Sequence, residues 1–268
     1  MCQGAMTIVQ LSDTHFGTER EDVEEALIAA LTAMPADVII LTGDVTQRAR
    51  PAQFKNARNF LAKLPGHQLM AIPGNHDIPL YHLWRRMFNP YREFISTFKQ
   101  TKATLVSDSC TIIGINSSCP MKHKNGVITP EQISEVAGQL RNAENSPLRI
   151  VAAHHPVAVV LPVDRENIVG NAEAAVRAWC AAGMDLVLGG HIHYPFMAPL
   201  KGYFPHLDSD AWVMQAGTAV SRRVRSRKPN SFNRIVINGQ RESTRIEQWS
   251  YELDASKFEL VESFTPWA

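Results

Sequence analysis

Short apolar runs that end in clusters of polar side chains are the feature that most constrains this chain. Each run has the largely β-branched and aliphatic character of a buried strand, and each is followed within three residues by Asp, His or Asn. The runs cover residues 8–11, 38–41, 69–72, 150–153 and 186–188. Fully apolar strands are typical of the parallel sheets of α/β proteins, where ligands bind at the carboxyl ends of the strands. The five clusters are therefore predicted to meet at one edge of a sheet.

Helical periodicity fills most of the spaces between these runs. The predicted helices cover residues 23–34, 54–64, 79–100 with a break at Asn89-Pro90, 133–140 and 172–182. Thr129, Pro130 and Gln132 form a capping-box signature at a helix start.

The last third of the chain changes character. Strands are predicted at 212–215, 232–237 and 244–251, and Asn238-Gly239 is a hairpin-turn signal. No Pro/Gly/Ser-rich linker separates the halves, so we predict one domain over residues 1–268, with a β-rich part at 211–268.

Composition excludes several classes of protein. Lys plus Arg is 27 and Asp plus Glu is 26, which argues against a nucleic-acid-coating protein and predicts no stable nucleic-acid partner. No apolar run is long enough to span a bilayer, and the first ten residues lack the pattern of a secretory signal, so no membrane association is expected. The cysteines are scattered, which argues against a disulfide scaffold and favours a cytoplasmic location. They are Cys2, Cys110, Cys119 and Cys180.

The side chains in the five clusters are of the types that bind metal ions through oxygen and nitrogen. The candidate ligands are Asp13, His15, Asp44, Asn75, His154, His191 and His193. Without a thiolate, this set suits Mn²⁺, Fe²⁺/Fe³⁺ or Zn²⁺. Seven ligands are too many for one catalytic ion that keeps a position open for water. Two ions bridged by a carboxylate fit better, and such pairs catalyse in-line displacement at phosphoesters.

The clusters also carry a family resemblance. In order along the chain they read Asp13-x-His15, Gly43-Asp44, Gly74-Asn75-His76-Asp77, His154-x-Pro156 and Gly190-His191-x-His193. Over residues 7–194 this pattern resembles the calcineurin-like metallophosphoesterase superfamily. Within it, the compact length and the Gly-Asn-His-Asp block resemble bacterial class III cyclic-nucleotide phosphodiesterases and glycerophosphodiesterases. One departure is Gln47, where many class III members have an acidic residue.

The resemblance implies a fold and a division of roles. The fold would be a four-layer αββα sandwich, in which two packed mixed sheets are flanked by helices. One metal ion would be held by Asp13, His15 and His193, and the second by Asn75, His154 and His191. Asp44 would bridge the two ions, and a hydroxide between them would be the nucleophile. His76 would stabilise the transition state or protonate the leaving oxygen, and Asp77 would orient His76.

The implied activity is hydrolysis of small-molecule phosphodiesters such as cyclic nucleotides or glycerophosphodiesters. A phosphomonoesterase or a nucleotide pyrophosphatase could use the same metal centre. A nuclease and a catalytically weak scaffold are further alternatives. The sequence leaves open whether the chain forms a homo-oligomer, for which the β-rich C-terminal part is a plausible contact surface.

Several side chains have two interpretations. His154 is preferred over His155 as the ligand, and His155 either lines the pocket or packs structurally. Asn116 either touches substrate or closes a turn. Arg222, within the basic run 222–228, either grips an anionic substrate or lies on a solvated loop. Three aromatic residues with roughly helical spacing are expected to pack in the core rather than form a base-stacking wall or a dimer surface. They are Tyr81, Trp84 and Phe88.

Overall fold

The computed structural model describes residues 5–268. Cys2 and the first four residues of the segment used for the secretory-signal prediction lie outside this range. The strands are β1 (Met6–Leu11), β2 (Val38–Thr42), β3 (Gln68–Ile72), β4 (Ala103–Val106), β5 (Thr111–Gly114), β6 (Arg149–Ala152), β7 (Leu186–Gly189), β8 (Phe196–Pro199), β9 (Trp212–Gln215), β10 (Ser231–Asn238), β11 (Gln240–Glu252) and β12 (Lys257–Phe264). The α-helices are α1 (Glu21–Ala33), α2 (Pro51–Leu61), α3 (Leu83–Phe88), α4 (Arg92–Phe98), α5 (Pro130–Asn142) and α6 (Ala172–Ala181).

Two mixed sheets of six strands form the centre of the molecule. The first has the order β12-β11-β10-β1-β2-β3, with β1, β2 and β3 parallel to one another. The second has the order β4-β5-β6-β7-β9-β8, in which β5, β6, β7 and β9 are parallel to one another. The C-terminal strands join the first sheet through antiparallel pairing of β10 with β1. The predicted hairpin turn is confirmed, since Asn238 pairs with Gln240 across Gly239.

Successive side chains of the central strands face two different apolar environments, which explains why most of these side chains are apolar. On β1, Ile8 packs in the core between the two sheets, whereas Val9 packs against α1 and α2. On β6, Ile150 faces the inter-sheet core and Val151 faces α5 and α6. Helices therefore cover the outer face of each sheet, and the layers run helix, sheet, sheet, helix.

The predicted start of α5 is confirmed. The Thr129 hydroxyl accepts a hydrogen bond from the Gln132 backbone N–H, and the Gln132 side chain accepts one from the Thr129 N–H. This capping box satisfies two donors that a helix start otherwise leaves unpaired.

The expectation that three aromatic residues pack in the core is wrong. Tyr81, Trp84 and Phe88 are 74%, 73% and 63% exposed, and α3 buries none of its residues. The predicted helix over 79–100 is split into α3 and α4, with the break at Asn89-Pro90. Instead of apolar packing, Arg86 ties α3 to the chain, because its guanidinium donates to the carbonyls of Pro120 and Lys122.

Within residues 5–268, none of the helices is both long and apolar enough to cross a membrane.

Candidate metal centre

The polar clusters meet in space, as their positions after β1, β2, β3, β6 and β7 predict. Asp13, His15 and His193 form one group, in which His193 Nε2 lies 3.0 Å from His15 Nε2 and 3.1 Å from Asp13 Oδ1. His154 and His191 form a second group beside it, with ring centroids 5.2 Å apart.

Asp44 lies between these two groups. Its Oδ2 atom is 3.7 Å from His15 Nε2, and its Oδ1 atom is 3.4 Å from His154 Nε2. Each carboxylate oxygen therefore faces a different group. This is the placement that a bridging ligand requires.

Several side-chain oxygen and nitrogen atoms that could bind a metal ion are buried at this site without a hydrogen-bond partner. They are Asp13 Oδ1, Asn75 Oδ1, His154 Nε2 and His191 Nε2. An unpartnered polar atom in the interior is unfavourable unless something else satisfies it. Carboxylate, amide and imidazole atoms left free in one place are the donor set that a transition-metal ion takes, so these residues fit such ions.

Backbone carbonyls orient two of the imidazoles. His154 Nδ1 donates to the carbonyl of Thr42 at 2.8 Å, and His193 Nδ1 donates to the carbonyl of Arg223 at 2.5 Å. A carbonyl oxygen only accepts, so each Nδ1 carries a proton and Nε2 is the nitrogen left for a metal ion. Histidine ligands of metals are commonly fixed in this way.

The loops that carry the candidate ligands adopt an uncommon backbone conformation. Five of these residues have φ between 43° and 74°, in the left-handed region that non-glycine residues rarely adopt. They are Asp13, His15, Asp44, His191 and His193. Such strain persists only where surrounding structure enforces it, and it concentrates at functional sites.

Glycine makes the close approach of these loops possible. Gly43 has a φ of +90°, and a Cβ atom there would collide with the ring of His154. A Cβ atom on Gly74 would collide with Asp44. The glycines of the Gly-Asp and Gly-Asn-His-Asp blocks therefore serve the packing of the candidate ligands.

Burial and mutual charge shift the pKa values of these groups. Burial lowers the pKa of His15 and of His191 well below the ordinary value, so both rings are neutral. Burial also opposes charge on Asp13 and on Asp44, yet neighbouring histidines hold the pKa of each carboxyl well below its usual range. Burial disfavours charge on His154, but Asp44 outweighs it and raises the pKa of His154 to about 9.

His76 lies at the edge of the two groups and lines the cavity in front of them. Its Nδ1 atom donates to the carbonyl of Gln47 at 2.9 Å. Its Nε2 atom accepts from Arg223 Nη1 at 3.0 Å, and Arg223 Nη1 also donates to Gln47 Oε1 at 3.2 Å. Sequence reasoning did not single out Arg223. The basic run around it was the only available signal.

The prediction that Asp77 orients His76 is wrong. The Asp77 carboxylate instead accepts hydrogen bonds from the backbone N–H groups of Val45, Thr46 and Gly74, and from the Thr46 hydroxyl. Asp77 thus joins the loops after β2 and β3. Burial, together with the charge of Asp44, raises its pKa to about 7.

The protein contacts of His155 and Asn116 agree with their structural interpretations. Both ring nitrogens of His155 have protein partners, Ser117 Oγ at 2.9 Å and the carbonyl of Lys124 at 3.0 Å, so neither is free for substrate. Burial lowers the pKa of His155 to about 3. The Asn116 side chain accepts from the Ser118 N–H at 2.9 Å, which closes a turn.

Arg222 does not face the metal groups. It lines a different depression, beside Glu19 and Arg20. The cavity in front of Asp44 and His191 measures about 460 Å³, and its cationic lining is Lys124, Arg223 and Arg225. Arg222 is therefore not among the cations that line this cavity, because the loop turns its neighbours toward it.

Comparison with known proteins agrees with this architecture. The model of the calcineurin-like phosphoesterase family matches residues 6–195. The chain belongs to this family and is a phosphoester hydrolase. The family works with divalent metal ions, and the His and Asp clusters described here are suited to bind them.

Two curated relatives and one solved structure are similar to the chain. Glycerophosphodiester phosphodiesterase GpdQ of Enterobacter lignolyticus is 24% identical over 68% of this chain and 72% of its own. A cAMP/cGMP dual specificity phosphodiesterase of Mycobacterium tuberculosis is 25% identical over 73% of this chain and 64% of its own, slightly under two thirds. Purple acid phosphatase PPD1 of yellow lupin has a TM-score of 0.75 at 11% identity, covering 98% of this chain and 54% of that chain. The predicted αββα sandwich is confirmed.

Proposed function

We propose that the chain hydrolyses phosphodiesters of small molecules at a binuclear metal centre. Asp13, His15 and His193 would hold one ion. Asn75, His154 and His191 would hold the other. Asp44 would bridge them. The observation that carries this proposal is the position of Asp44, whose two oxygens face the two groups separately.

The ligand set favours Mn²⁺, iron or Zn²⁺, since it offers oxygen and imidazole nitrogen without thiolate. When bound, two such ions would activate a water molecule and neutralise charge on the phosphoryl group. The chain's own contribution is to fix the ligand orientations. It does so through the carbonyls of Thr42 and Arg223, and through the Asp13 Oδ2 atom, which accepts from the His191 N–H at 2.9 Å.

His76 is the proposed proton donor to the leaving oxygen. Its Nδ1–H is committed to the Gln47 carbonyl, and Nε2, which accepts from Arg223 Nη1, is the atom that faces the cavity. Protonation of Nε2 would replace the contact with Arg223, and the doubly protonated ring would then donate from Nε2 while the Gln47 contact keeps the ring plane fixed. The backbone N–H of His76 donates to Asp44 Oδ1 at 2.8 Å, which ties this residue to the proposed bridging ligand.

Preference for a diester is supported by the relatives, which are named as phosphodiesterases of glycerophosphodiesters and of cyclic nucleotides. The test is a paired assay on metal-stripped protein reloaded with Mn²⁺. Bis(p-nitrophenyl) phosphate is expected to be cleaved faster than p-nitrophenyl phosphate. A faster monoester reaction would replace the proposal with a phosphomonoesterase. Cleavage of single-stranded nucleic acid in the same preparation would revive the nuclease alternative.

A further inference from the structure

The cationic side chains that line the cavity differ in whether a carboxylate neutralises them. Arg225 Nη1 lies 2.5 Å from Asp164 Oδ1, and this carboxylate is fully buried. Lys124 Nζ lies 2.7 Å from Glu166 Oε1. Arg223 forms no ion pair anywhere in residues 5–268. It is thus the cation on this cavity whose charge is left for something else to meet.

The partners of Arg223 orient its guanidinium without neutralising it. Nη1 donates to Gln47 Oε1 at 3.2 Å and to His76 Nε2 at 3.0 Å, and neither contact is with a carboxylate. Within the described part of the chain, no protein atom accepts from its Nε or Nη2. A guanidinium has five donors in a fixed planar arrangement that matches phosphate oxygens. Nη1 is held by Gln47 and His76, and the N–H groups of Nε and Nη2 remain available in the same plane.

We propose that Arg223 is an anion-binding residue that takes a non-bridging oxygen of the substrate's phosphate, and that Gln47 keeps its charge available. This inference deepens the proposed function. His76 places Arg223 beside the centre, because its ring contacts the His15 ring edge-on with centroids 4.8 Å apart. A carboxylate at position 47 would have the same reach to Arg223 and would turn a neutral contact into an ion pair. The residue type at position 47 would then set the anion affinity of the cavity.

Arg223 also supports a candidate metal ligand, but it does so through its backbone and not through its side chain. Its backbone carbonyl accepts from His193 Nδ1, and this contact survives any change of the side chain. Side-chain variants therefore separate anion binding from support of the metal ligand. Arg222 provides a matched control, since it is the adjacent residue of the same type and faces away from the cavity.

The experiment measures binding of inorganic phosphate to the Mn²⁺-loaded protein by calorimetry, with bound metal quantified in the same samples. Arg223→Ala is expected to weaken phosphate binding by about 10- to 100-fold, the range for hydrogen bonds to charged groups. Arg223→Lys is expected to recover part of this loss. Gln47→Glu is expected to weaken binding in the same direction, and combining it with Arg223→Ala should weaken binding by less than the product of the two single losses. Arg222→Ala should stay within about twofold of the unaltered protein.

Three results would overturn the inference. Unchanged phosphate affinity in Arg223→Ala would remove its basis. Equal losses of phosphate affinity in Arg222→Ala and Arg223→Ala would show that positive charge in general, and not the position of Arg223, supports phosphate binding. Loss of bound metal in Arg223→Ala would show that the side chain acts through the centre. The proposed function fails separately, if the loaded protein binds phosphate through Arg223 but cleaves neither nitrophenyl ester.

Discussion

The core between the two sheets and the loops at the carboxyl ends of the same strands are both buried, but one is apolar and the other is polar. Between the sheets, side chains such as Ile8, Ile150 and Ile235 are fully buried and apolar. At the carboxyl ends of the strands, Asp13 and His154 are equally buried, but they are charged or polar and have unpartnered atoms. The comparison shows that the core supplies stability which the edge lacks without a bound ion, and that the edge is arranged for binding.

The largest effect is expected from a substitution of Asp44, which should act mainly on activity at the loop edge. Asp44→Asn keeps an acceptor for the His76 N–H but loses the charge between the two groups. We expect kcat/KM to fall by about 10³-fold, as for loss of a central electrostatic group. The metal-free variant should also lose part of its stability, because Asp44 is the carboxylate that faces His154 in the interior. Steady-state kinetics on the Mn²⁺-loaded variant measures the loss of activity. A kcat/KM within about tenfold of the unaltered protein would contradict the central position assigned to Asp44.

Truncation in the inter-sheet core should do the reverse. Ile235→Ala removes a fully buried side chain of β10, away from the candidate ligands. The free energy of unfolding is expected to fall by about 2–5 kcal/mol, measured by urea denaturation. The folded variant should still bind the same number of ions per chain. A changed metal content with little change in stability would show that the regions are not separable.

Asp77 belongs to the edge but has the function of a structural connector. Asp77→Asn replaces a carboxylate that accepts from Val45, Thr46 and Gly74, and the amide offers fewer acceptor sites to these donors. We expect a loss of about 1–3 kcal/mol in the free energy of unfolding, measured by chemical denaturation. If the variant keeps full stability but loses activity as completely as His76→Ala does, the original assignment of Asp77 to His76 would be restored.

The affinity of the centre for metal ions is also predicted to depend on pH. Asp44 raises the pKa of His154 to about 9 in the metal-free fold, so an ion must displace a proton from that ring below this pH. Apparent affinity should rise by up to about tenfold per pH unit and level off above pH 9. By the same linkage, protonated His154 stabilises the metal-free fold below pH 6.5, and this contribution is lost as the pH rises through about 9. Chelator competition from pH 6.5 to 9 measures the affinity. An affinity independent of pH in this range would argue against the charge state assigned to His154.

The same comparison explains which parts of the fold sequence reasoning could reach. Strands with two apolar faces, such as β2 and β6, are evident from uninterrupted runs. β4, β8 and β12 were missed, because short edge strands bury few side chains, and β12 buries only Phe258. An edge strand is defined by the partner it pairs with, which a local pattern does not contain.

Sequence reasoning reached the candidate ligands but not their surroundings. Asp13 and His193 follow buried parallel strands, so the sheets bring them to the same edge regardless of the exact conformation of the loops. The partners of Asp77 and the choice between Arg222 and Arg223 depend on loop conformation. The loop that carries both arginines includes left-handed residues at Ser226 and Arg227, so side-chain direction there does not follow a regular period.

The most direct test of the binuclear centre is anomalous diffraction from crystals of the Mn²⁺-loaded protein. The account predicts two manganese peaks a few ångströms apart with Asp44 between them. One should lie beside Asp13 and His193, and the other beside His154 and His191. A single peak, or peaks away from Asp44, would contradict it.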